Sequence, residues 1–434
     1  MTMKARERAQ RILETLGQVS SQAEVNWLVR RRETVLAGSG SPVAGSGTLT
    51  SYSVRIQRNG RAGTAGSEGE SHPSVIAENA ISSARTGPDF TWDLPSDSPS
   101  TAHFVNRGAL PQFDAVLGFV DELASCADAA MPGTLLSARV SWGRDGVGII
   151  NSRGCVGEYS RNRVRVDATV SSATEDGLYR RSSHFESTSL PEPSTALQWL
   201  FPALSSAGVR PETVVGRKSV LFAPPALGVL LQAVRTGVSG RVLLDGASWL
   251  AGKTGECVLS PLLTVREMPL HENGASSAPF DSEGIATSNK ALFRNGVFKG
   301  FVFDLASGSE AGLPSTGNAG KNLGGHPMPV CTNITVDSGS GGSLEEMVGR
   351  IGNGVLVSGI LSAEGSDAAG GGMLLDCGTA WSITDGEVTG RLANCLISGS
   401  AYEILKSVCE VGSVQHRTGT DLLPCVTAEG VRIR

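Results

Sequence analysis

The chain lacks the features by which several protein classes are recognised. None of its eight cysteines forms a CxxC pair, which excludes a zinc ribbon and, at 434 residues, a disulfide scaffold. The amino-terminal segment Met1–Gln10 is polar and charged, without the apolar core of a signal peptide. The most apolar stretch, Ser219–Val234, contains two prolines and is too short to span a bilayer. We therefore expect a soluble cytoplasmic protein with reduced, mostly buried thiols.

The chain also lacks an excess of positive charge. Its formal net charge is -5, which argues against a broad nucleic-acid surface, because phosphate binding needs clustered Lys and Arg. Arg30, Arg31 and Arg32 are consecutive, and a second local group alternates along the chain. Its members are Arg161, Arg163 and Arg165. Alternation with a period of two puts these three side chains on one face of a strand, which we interpret as solvated. Neither nucleic acid nor a membrane is an expected partner.

Motifs of several enzyme classes are missing too. There is no G-x-S-x-G elbow and no hint of a Ser–His–Asp arrangement. The glycine-rich runs Gly339–Gly342 and Gly370–Gly372 lack the Lys-Ser/Thr of a phosphate-binding loop. His271–Glu272 begins an H-E-x-x pattern, but the second histidine is absent and Asn273–Gly274 favours a turn. These motifs therefore do not indicate a serine hydrolase, a nucleotide-binding protein or a zinc protease helix at this position.

The composition that is present indicates a globular α+β protein. With 40% hydrophobic and 18% charged residues, the chain is long enough for two or three domains. We predict an amino-terminal α/β sheet-and-helix region followed by a β-rich, glycine-rich carboxy-terminal domain. The predicted division is an amino-terminal α+β unit at 1–87, a linker at 88–110, a second α+β segment of the amino-terminal domain at 111–217 and the carboxy-terminal domain at 218–434.

Hydrophobic periodicity and turn dipeptides predict the individual elements. The predicted helices are Lys4–Leu16, one capped by Ser71, Phe113–Ala130, Pro193–Ala207, Ala226–Arg235, Ser343–Ile351 and Tyr402–Val411. The predicted strands before residue 280 are Ala23–Val35, Thr48–Gln57, Arg61–Thr64, Leu135–Trp142, Gly146–Asn151, Val156–Val170, Leu178–His184 and Lys218–Ala223. Asn59–Gly60 and Asp385–Gly386 predict tight hairpin turns, because both dipeptides tolerate positive φ.

The stretch Pro279–Thr332 combines a predicted hairpin with a flexible loop. Two short β-like runs, Lys290–Arg294 and Val297–Asp304, are separated by the turn dipeptide Asn295–Gly296. The following segment, Gly312–Gly325, is rich in Gly, Ser and Asn. A loop held by a rigid hairpin is a common position for a functional site.

Several short motifs occur in a characteristic order along the whole chain. Arg61–Ala65 precedes a helix, and Asn151–Arg161 reads NSRGCVGEYSR. Pro279–Gly284 reads PFDSEG, and Pro314–Ala319 reads PSTGNA and is followed by the segment Pro327–Asn333, PMPVCTN. These segments resemble, in order, the strand–strand–helix unit, the N-x-x-G strand pair, the D-x-E-G turn and the T-G-N/H loop of the TldD/TldE family, whose TldE member is also called PmbA.

The resemblance implies a two-subunit cytoplasmic metallopeptidase that trims peptides, including leader peptides of ribosomally made natural products. The TldD-like subunit binds zinc through an H-E-x-x-x-H helix and a late cysteine, whereas the TldE-like subunit keeps the fold without the metal site. In this chain the matching helix, Leu230–Gly240, contains no His, Glu, Asp or Cys. The tail Cys409–Gly419 lacks the insertion that supplies the late ligand, and Cys425 is expected to be a structural thiol. We therefore predict a TldE-like subunit with no catalytic residue, metal ligand or cofactor of its own, and zinc in a TldD-like partner.

The resemblance also predicts where a peptide substrate would bind. Asp281 and Glu283 are assigned to the geometry of the turn and to support of the loop. The loop Pro314–Gly325, with His326, would face a shared cavity and contact the peptide backbone. The predicted substrate-binding residues are Ser315, Thr316, Gly317, Asn318 and His326.

Two alternative functions remain open from the sequence. One is a homodimeric binding protein that kept the fold but has no peptidase role. The other is an enzyme with repurposed chemistry in natural-product biosynthesis, in which His326 would act in the cavity that the family uses for peptides.

Overall fold

The protein is described by a computed structural model, which covers most of the chain. The described residues are 2–38, 40–101, 104, 108–174, 177–200, 214–363, 367, 369–392 and 394–434. Parts of two sequence predictions, residues 201–207 of the helix beginning at Pro193 and much of 102–107 in the linker, lie outside these ranges.

The amino-terminal region is an antiparallel sheet of six strands with the order β3-β2-β1-β4-β5-β6. Its strands are β1 Gln22–Ala37, β2 Val43–Arg58, β3 Arg61–Glu68, β4 Leu135–Asn151, β5 Val156–Thr174 and β6 Gly177–Ser187. Its helices are α1 Thr2–Gly17, α2 Pro73–Ala84, α3 Phe113–Ala130 and α4 Pro193–Leu197.

The helices of this region cover one face of the sheet. Side chains alternate between the two faces of a strand, so Val25 and Trp27 of β1 point to the same side. Both are buried with Ile12 of α1 and Ile76 of α2, and a second cluster joins α3 to the far ends of the strands around Trp142. The opposite face, which includes Glu24 and Asn26, is left for the carboxy-terminal region.

The carboxy-terminal region is built around a mixed sheet of twelve strands, in which β7 pairs in parallel with β14 and antiparallel with β20. The strands are β7 Gly216–Phe222, β8 Val265–Glu267, β9 Lys290–Arg294, β10 Val297–Phe298, β13 Ile334–Val336, β14 Gly354–Gly359, β15 Gly372–Asp376, β16 Thr379–Thr384, β17 Glu387–Arg391, β18 Leu396–Ser400, β19 Val408–Thr418 and β20 Asp421–Ile433, with β11 Ala319–Gly320 and β12 Met328–Pro329 forming a separate pair. The helices are α5 Pro224–Gly237, α6 Gly240–Leu244, α7 Leu305–Ala311, α8 Leu344–Ile351 and α9 Ala401–Lys406.

The α+β fold class and the predicted tight turns are confirmed. Asn59, Asn295 and Asp385 have φ values of 51°, 49° and 51°, and each is followed by a glycine with positive φ. The predicted helix at 113–130 has the predicted bounds. The division into domains stays a prediction.

Other expectations need correction. Leu135–Trp142 and Gly146–Asn151 belong to one strand, β4, and the cap of α2 is His72 instead of Ser71. The strand predicted for Val297–Asp304 ends at Phe298, because the chain turns away and Val302 hydrogen-bonds to Val238.

The helix predicted from Tyr402 to Val411 ends at Lys406. Val408 and Val411 are β-branched and pair with β20, so cross-strand pairing overrides the helical periodicity of this segment.

None of the helices in the described part of the chain combines the length and the apolarity needed to cross a bilayer.

Candidate functional site

Helix α5 forms the floor of a large cavity. Its apolar stripe, which includes Leu230, Leu231 and Val234, is at most 1% exposed and packs into the carboxy-terminal core. The opposite side of α5 faces a cavity of about 670 Å³, which we call the α5 cavity. Its other walls come from β6, from α4 and from the turn between β19 and β20. The α5 residues that line it are Pro225, Gly228, Val229, Gln232 and Arg235.

The polar groups that α5 presents do not fit zinc. Zinc sites use thiolates, imidazoles and carboxylates, whereas α5 offers the amide of Gln232 and the guanidinium of Arg235. Arg235 is ion-paired with Asp421 and donates to the carbonyl of Cys331 at 3.1 Å, and its guanidinium has no lone pair to offer a metal. In the described ranges no three His, Cys, Asp or Glu side chains are grouped so that they could hold a metal.

Two cysteines of the carboxy-terminal region have thiols with a raised pKa. Cys425 is 3% exposed, and burial raises the pKa of its thiol to about 12. Burial likewise raises the pKa of Cys331, at the edge of the α5 cavity, above its usual range. Both thiols are protonated at neutral pH, as expected of structural cysteines.

The rim of the α5 cavity carries a cluster of charges around His184. The Nε2 of His184 lies 3.2 Å from Glu186, and the Nδ1 of His184 lies 2.7 Å from Asp167. The hydrogen bond to Glu186 contributes most to raising the pKa of His184. Burial alone would raise the pKa of Glu186, but His184 and Arg163 together lower it to about 2.

The loop after α7 is fixed by its own polar side chains. Ser315 and Thr316 donate hydrogen bonds to the carbonyl of Phe303, at 3.2 and 3.1 Å. Gly317 has a φ of 72°, and a Cβ there would lie 2.4 Å from the carbonyl oxygen of Ala286. This close approach requires glycine.

Asn318 anchors the same loop to the sheet. Its Nδ2 donates to both carboxylate oxygens of Glu267, at 2.9 and 2.8 Å, and its Oδ1 accepts from Lys290 at 2.6 Å. Since Asn318 is 3% exposed, its amide acts mainly within the protein.

The loop closes a second cavity against the free face of the amino-terminal sheet. This cavity, which we call the loop cavity, has a volume of about 540 Å³. It is walled by Gly317–Leu323, by the segment around Phe280 and by one face of β1, β2, β4 and β5. Gly317 and Asn318 line it.

The remaining predicted site residues lie near the loop cavity. Ser315, Thr316 and His326 are not among its described lining residues. His326 is half-buried, and burial, then the charges of Arg55 and Lys321, lower the pKa of its imidazole. Peptide contact by the five residues stays a prediction.

Asp281 fastens the loop to the preceding turn. Its Oδ1 accepts the backbone N–H groups of Glu283 and Ile285, at 2.9 and 3.0 Å. Its Oδ2 accepts the N–H of Ala319 in β11 at 2.9 Å. These bonds agree with the interpretation of Asp281 as a support of the turn and the loop, although burial raises the pKa of its carboxyl.

A buried network of charges lies beside the loop cavity, one cross-strand row beyond Asn26. Arg55 contacts Glu283 at 2.6 Å and Glu24 at 3.0 Å, and Lys321 of the loop contacts Glu24 at 3.0 Å. Burial opposes ionisation of Glu24, but Arg55 and Lys321 together lower its pKa. Glu283 faces only one of the two cations, and burial raises its pKa.

Sequence reasoning missed Glu24, Arg55 and Lys321, because they come from three distant segments. The available signal was a charge at a strand position flanked by apolar residues, such as Glu24 between Ala23 and Val25.

Comparisons with known proteins agree with the architecture. Residues 215–434 match the family described as the PmbA/TldA metallopeptidase C-terminal domain. A protein named "Metalloprotease" from Methanothermobacter thermautotrophicus is 26% identical over 385 residues, covering 85% of this chain and 82% of that protein. A "Metalloprotease PmbA homolog" from Haemophilus influenzae is 26% identical over 294 residues, covering 64% of this chain and 61% of that protein.

The fold also matches a solved structure over nearly its full length. The crystal structure of TldE from Thermococcus kodakarensis superposes with a TM-score of 0.83 and 22% sequence identity. The match covers 98% of this chain and 99% of the TldE chain.

Proposed function

Because this chain belongs to the TldD/TldE (PmbA) metallopeptidase family, we propose that it is the metal-free, TldE-like subunit of a heteromeric zinc peptidase. In this proposal a TldD-like partner carries the zinc and the catalytic residues. The two subunits together trim peptides or peptide-derived natural-product intermediates in the cytoplasm.

The polar surface of α5 is the observation that carries the proposal. By the family resemblance this helix takes the place of the zinc helix of TldD-like subunits, and its wall of the α5 cavity offers Gln232 and the ion-paired Arg235. A guanidinium has no lone pair for a metal, and an amide is a poor zinc ligand. In this proposal the chain keeps the family fold, and the polar surface of α5 supports the zinc-bearing partner instead of binding a metal.

The loop would supply the chain's contribution to substrate binding. Gly317 and Asn318 already border the loop cavity, and the bonds of Ser315 and Thr316 to Phe303 hold the segment in place. We assign contact with the backbone of an extended peptide to this loop together with His326.

A co-purification with metal analysis tests the proposal. The chain is co-expressed with a family member from the same genome that carries H-E-x-x-x-H, and zinc is measured in the complex and in the isolated chain. We expect a stable complex with one zinc per partner subunit and none bound stoichiometrically by this chain alone.

Two variants serve as matched controls for the zinc measurement. Replacing one motif histidine of the partner by alanine should remove zinc from the complex, whereas Gln232→Ala in this chain should leave it unchanged. One zinc per isolated chain, or loss of zinc from the complex with Gln232→Ala, would contradict the proposal.

A further inference from the structure

The floor of the loop cavity changes in character along the strands. Because alternate residues share a face, successive rows of cross-strand neighbours lie about 7 Å apart. Three successive rows run across β1, β4 and β5. They are Asn26, Ile149 and Gly157; Leu28, Val147 and Tyr159; and Arg30, Asp145 and Arg161.

The middle row is apolar and is extended by the facing segment. Leu28, Val147 and Tyr159 all line the cavity. The ring of Phe280 meets that of Tyr159 edge-to-face, with 5.0 Å between centroids, and Leu323 of the loop adds a further apolar side chain to the wall. This part of the cavity suits apolar side chains.

The third row carries more positive than negative charge. Asp145 is fully buried and pairs closely with Arg32, at 2.6 Å. Arg30 and Arg161, which line the cavity, lie farther from the same carboxylate, at 3.5 and 3.7 Å. Three guanidinium groups therefore share one carboxylate, which leaves about two positive units among these four groups.

The two cavity-lining arginines make only long contacts with Asp145. Their buried Nε atoms face its carboxylate at 3.5 and 3.7 Å, and neither forms a hydrogen bond with a described residue. Arg161 uses its Nη1 for the carbonyl of Ser277, at 3.0 Å. A carboxylate that enters the cavity would add a second negative charge to these guanidinium groups, which Asp145 alone does not balance.

The opposite end offers polar atoms of a different kind. The amide nitrogen of Asn26 donates to the carbonyl of Ser282 at 2.9 Å. The Oδ1 of Asn26 and the hydroxyl of Ser282 are buried and lack a hydrogen-bond partner in the described part of the chain. The Oδ1 of Asn26 can accept a hydrogen bond from a backbone N–H group of a peptide. The hydroxyl of Ser282 can donate to a backbone carbonyl or accept from an N–H group.

We propose that the loop cavity binds a short extended peptide whose carboxylate is held by Arg30 and Arg161. An apolar residue next to the carboxylate packs on Tyr159 and Phe280, and the preceding backbone reaches Asn26. The two row spacings, about 13 Å, match roughly four extended residues. The peptide nature of the ligand rests on the proposed function, whereas the carboxylate subsite follows from the charges.

A carboxylate in a peptide has two sources, the carboxy terminus and an acidic side chain. Three peptides distinguish them: acetyl-Leu-Ala-Leu-Phe with a free carboxylate, the same peptide as its amide, and the amide of acetyl-Leu-Ala-Leu-Glu. Binding to the purified full chain is measured by calorimetry. We expect the neutral amide to bind about tenfold or more weakly than a carboxylate-bearing peptide. Tight binding of the free acid alone assigns the carboxy terminus, and binding of the Glu amide assigns the side chain.

Variants of neighbouring arginines give a matched control. Arg30→Gln should weaken carboxylate binding about tenfold. Arg31→Gln removes the same charge one residue along, from an exposed position on the opposite face of β1, and should leave affinity unchanged. Thermal unfolding of both variants verifies that they fold.

The subsite is overturned if all three peptides bind equally, if none binds, or if the two variants weaken binding alike. Each of these results leaves the zinc measurement on the complex untouched. Conversely, failure to recover a zinc-bearing partner, with carboxylate binding intact, would remove the peptidase role but retain the subsite.

Discussion

The α5 cavity and the loop cavity have similar volumes, about 670 and 540 Å³, but use their polar groups differently. In the α5 cavity Arg235 is paired with Asp421, and His184 lies between two carboxylates. Buried polar atoms without partners in the described chain are nitrogen donors in the α5 cavity, on Arg235 and Trp199, whereas in the loop cavity they include the oxygens of Asn26 and Ser282.

The difference shows which ligand groups each cavity can satisfy. Unpaired nitrogen donors satisfy only the acceptors of a ligand, whereas a peptide backbone presents both N–H and C=O groups. The loop cavity offers the oxygen of Asn26 to an N–H group and the positive charge of Arg30 and Arg161 to an acceptor, over a sheet face on which Arg55 pairs with Glu24.

The largest expected effect comes from removing Arg55 from the buried charge network beside the loop cavity. Arg55→Ala leaves Glu24 and Glu283 buried with less compensation, so we expect the free energy of unfolding to fall by about 3–5 kcal/mol. Urea denaturation followed by fluorescence measures this. Arg58→Ala, on the same strand but with a single 3.4 Å bond to Val19, is the control and should cost about 1 kcal/mol or less. Equal losses would show that the network does not stabilise this region.

A smaller effect is expected from the loop itself. Gly317→Ala places a Cβ against the carbonyl of Ala286 at a positive φ, which should cost about 2 kcal/mol. Gly45→Ala in β2 meets nothing within 4 Å and should change the unfolding free energy by about 0.5 kcal/mol or less. Comparable urea midpoints for the two variants would mean that the loop adapts easily and does not form a rigid wall.

The smallest effect concerns the rim of the α5 cavity. The pKa of folded His184 is raised above 6.5, so its stabilising contribution is complete below the unfolded pKa and is lost as pH rises through the folded pKa. His184→Gln should therefore lower the melting temperature more at about pH 5.5 than at about pH 9. Since the side chain is 40% exposed, solvent screening limits the effect to about 0.5 kcal/mol.

A histidine with the opposite shift provides the control. Burial lowers the pKa of His271, so its protonation destabilises the fold at low pH and His271→Gln should show the reverse pH dependence. The same trend for both variants would contradict the assigned environments.

Local sequence patterns were sufficient to predict part of the fold. Asn59–Gly60 and Asp385–Gly386 predicted hairpins because few residues tolerate their backbone angles. The absence of metal ligands in the helix around Gln232 was visible directly in the sequence. The helix at 113–130 followed from its periodicity.

The rest depends on contacts between distant segments. Glu24 and Lys321 are separated by 297 positions, and no local pattern indicates that their charges meet. The arginine row requires the register that aligns Arg30, Asp145 and Arg161, which periodicity does not determine.

The network beneath the loop also constrains the order of folding. Glu24 and Arg55 are synthesised long before Lys321 and Glu283, and until those residues arrive their charges are better solvated by water than buried. We therefore expect the amino-terminal sheet to remain open on this face until the loop docks. In pulse-labelling hydrogen exchange, the Ala319 amide would gain protection after those of β1, and simultaneous protection would contradict this order.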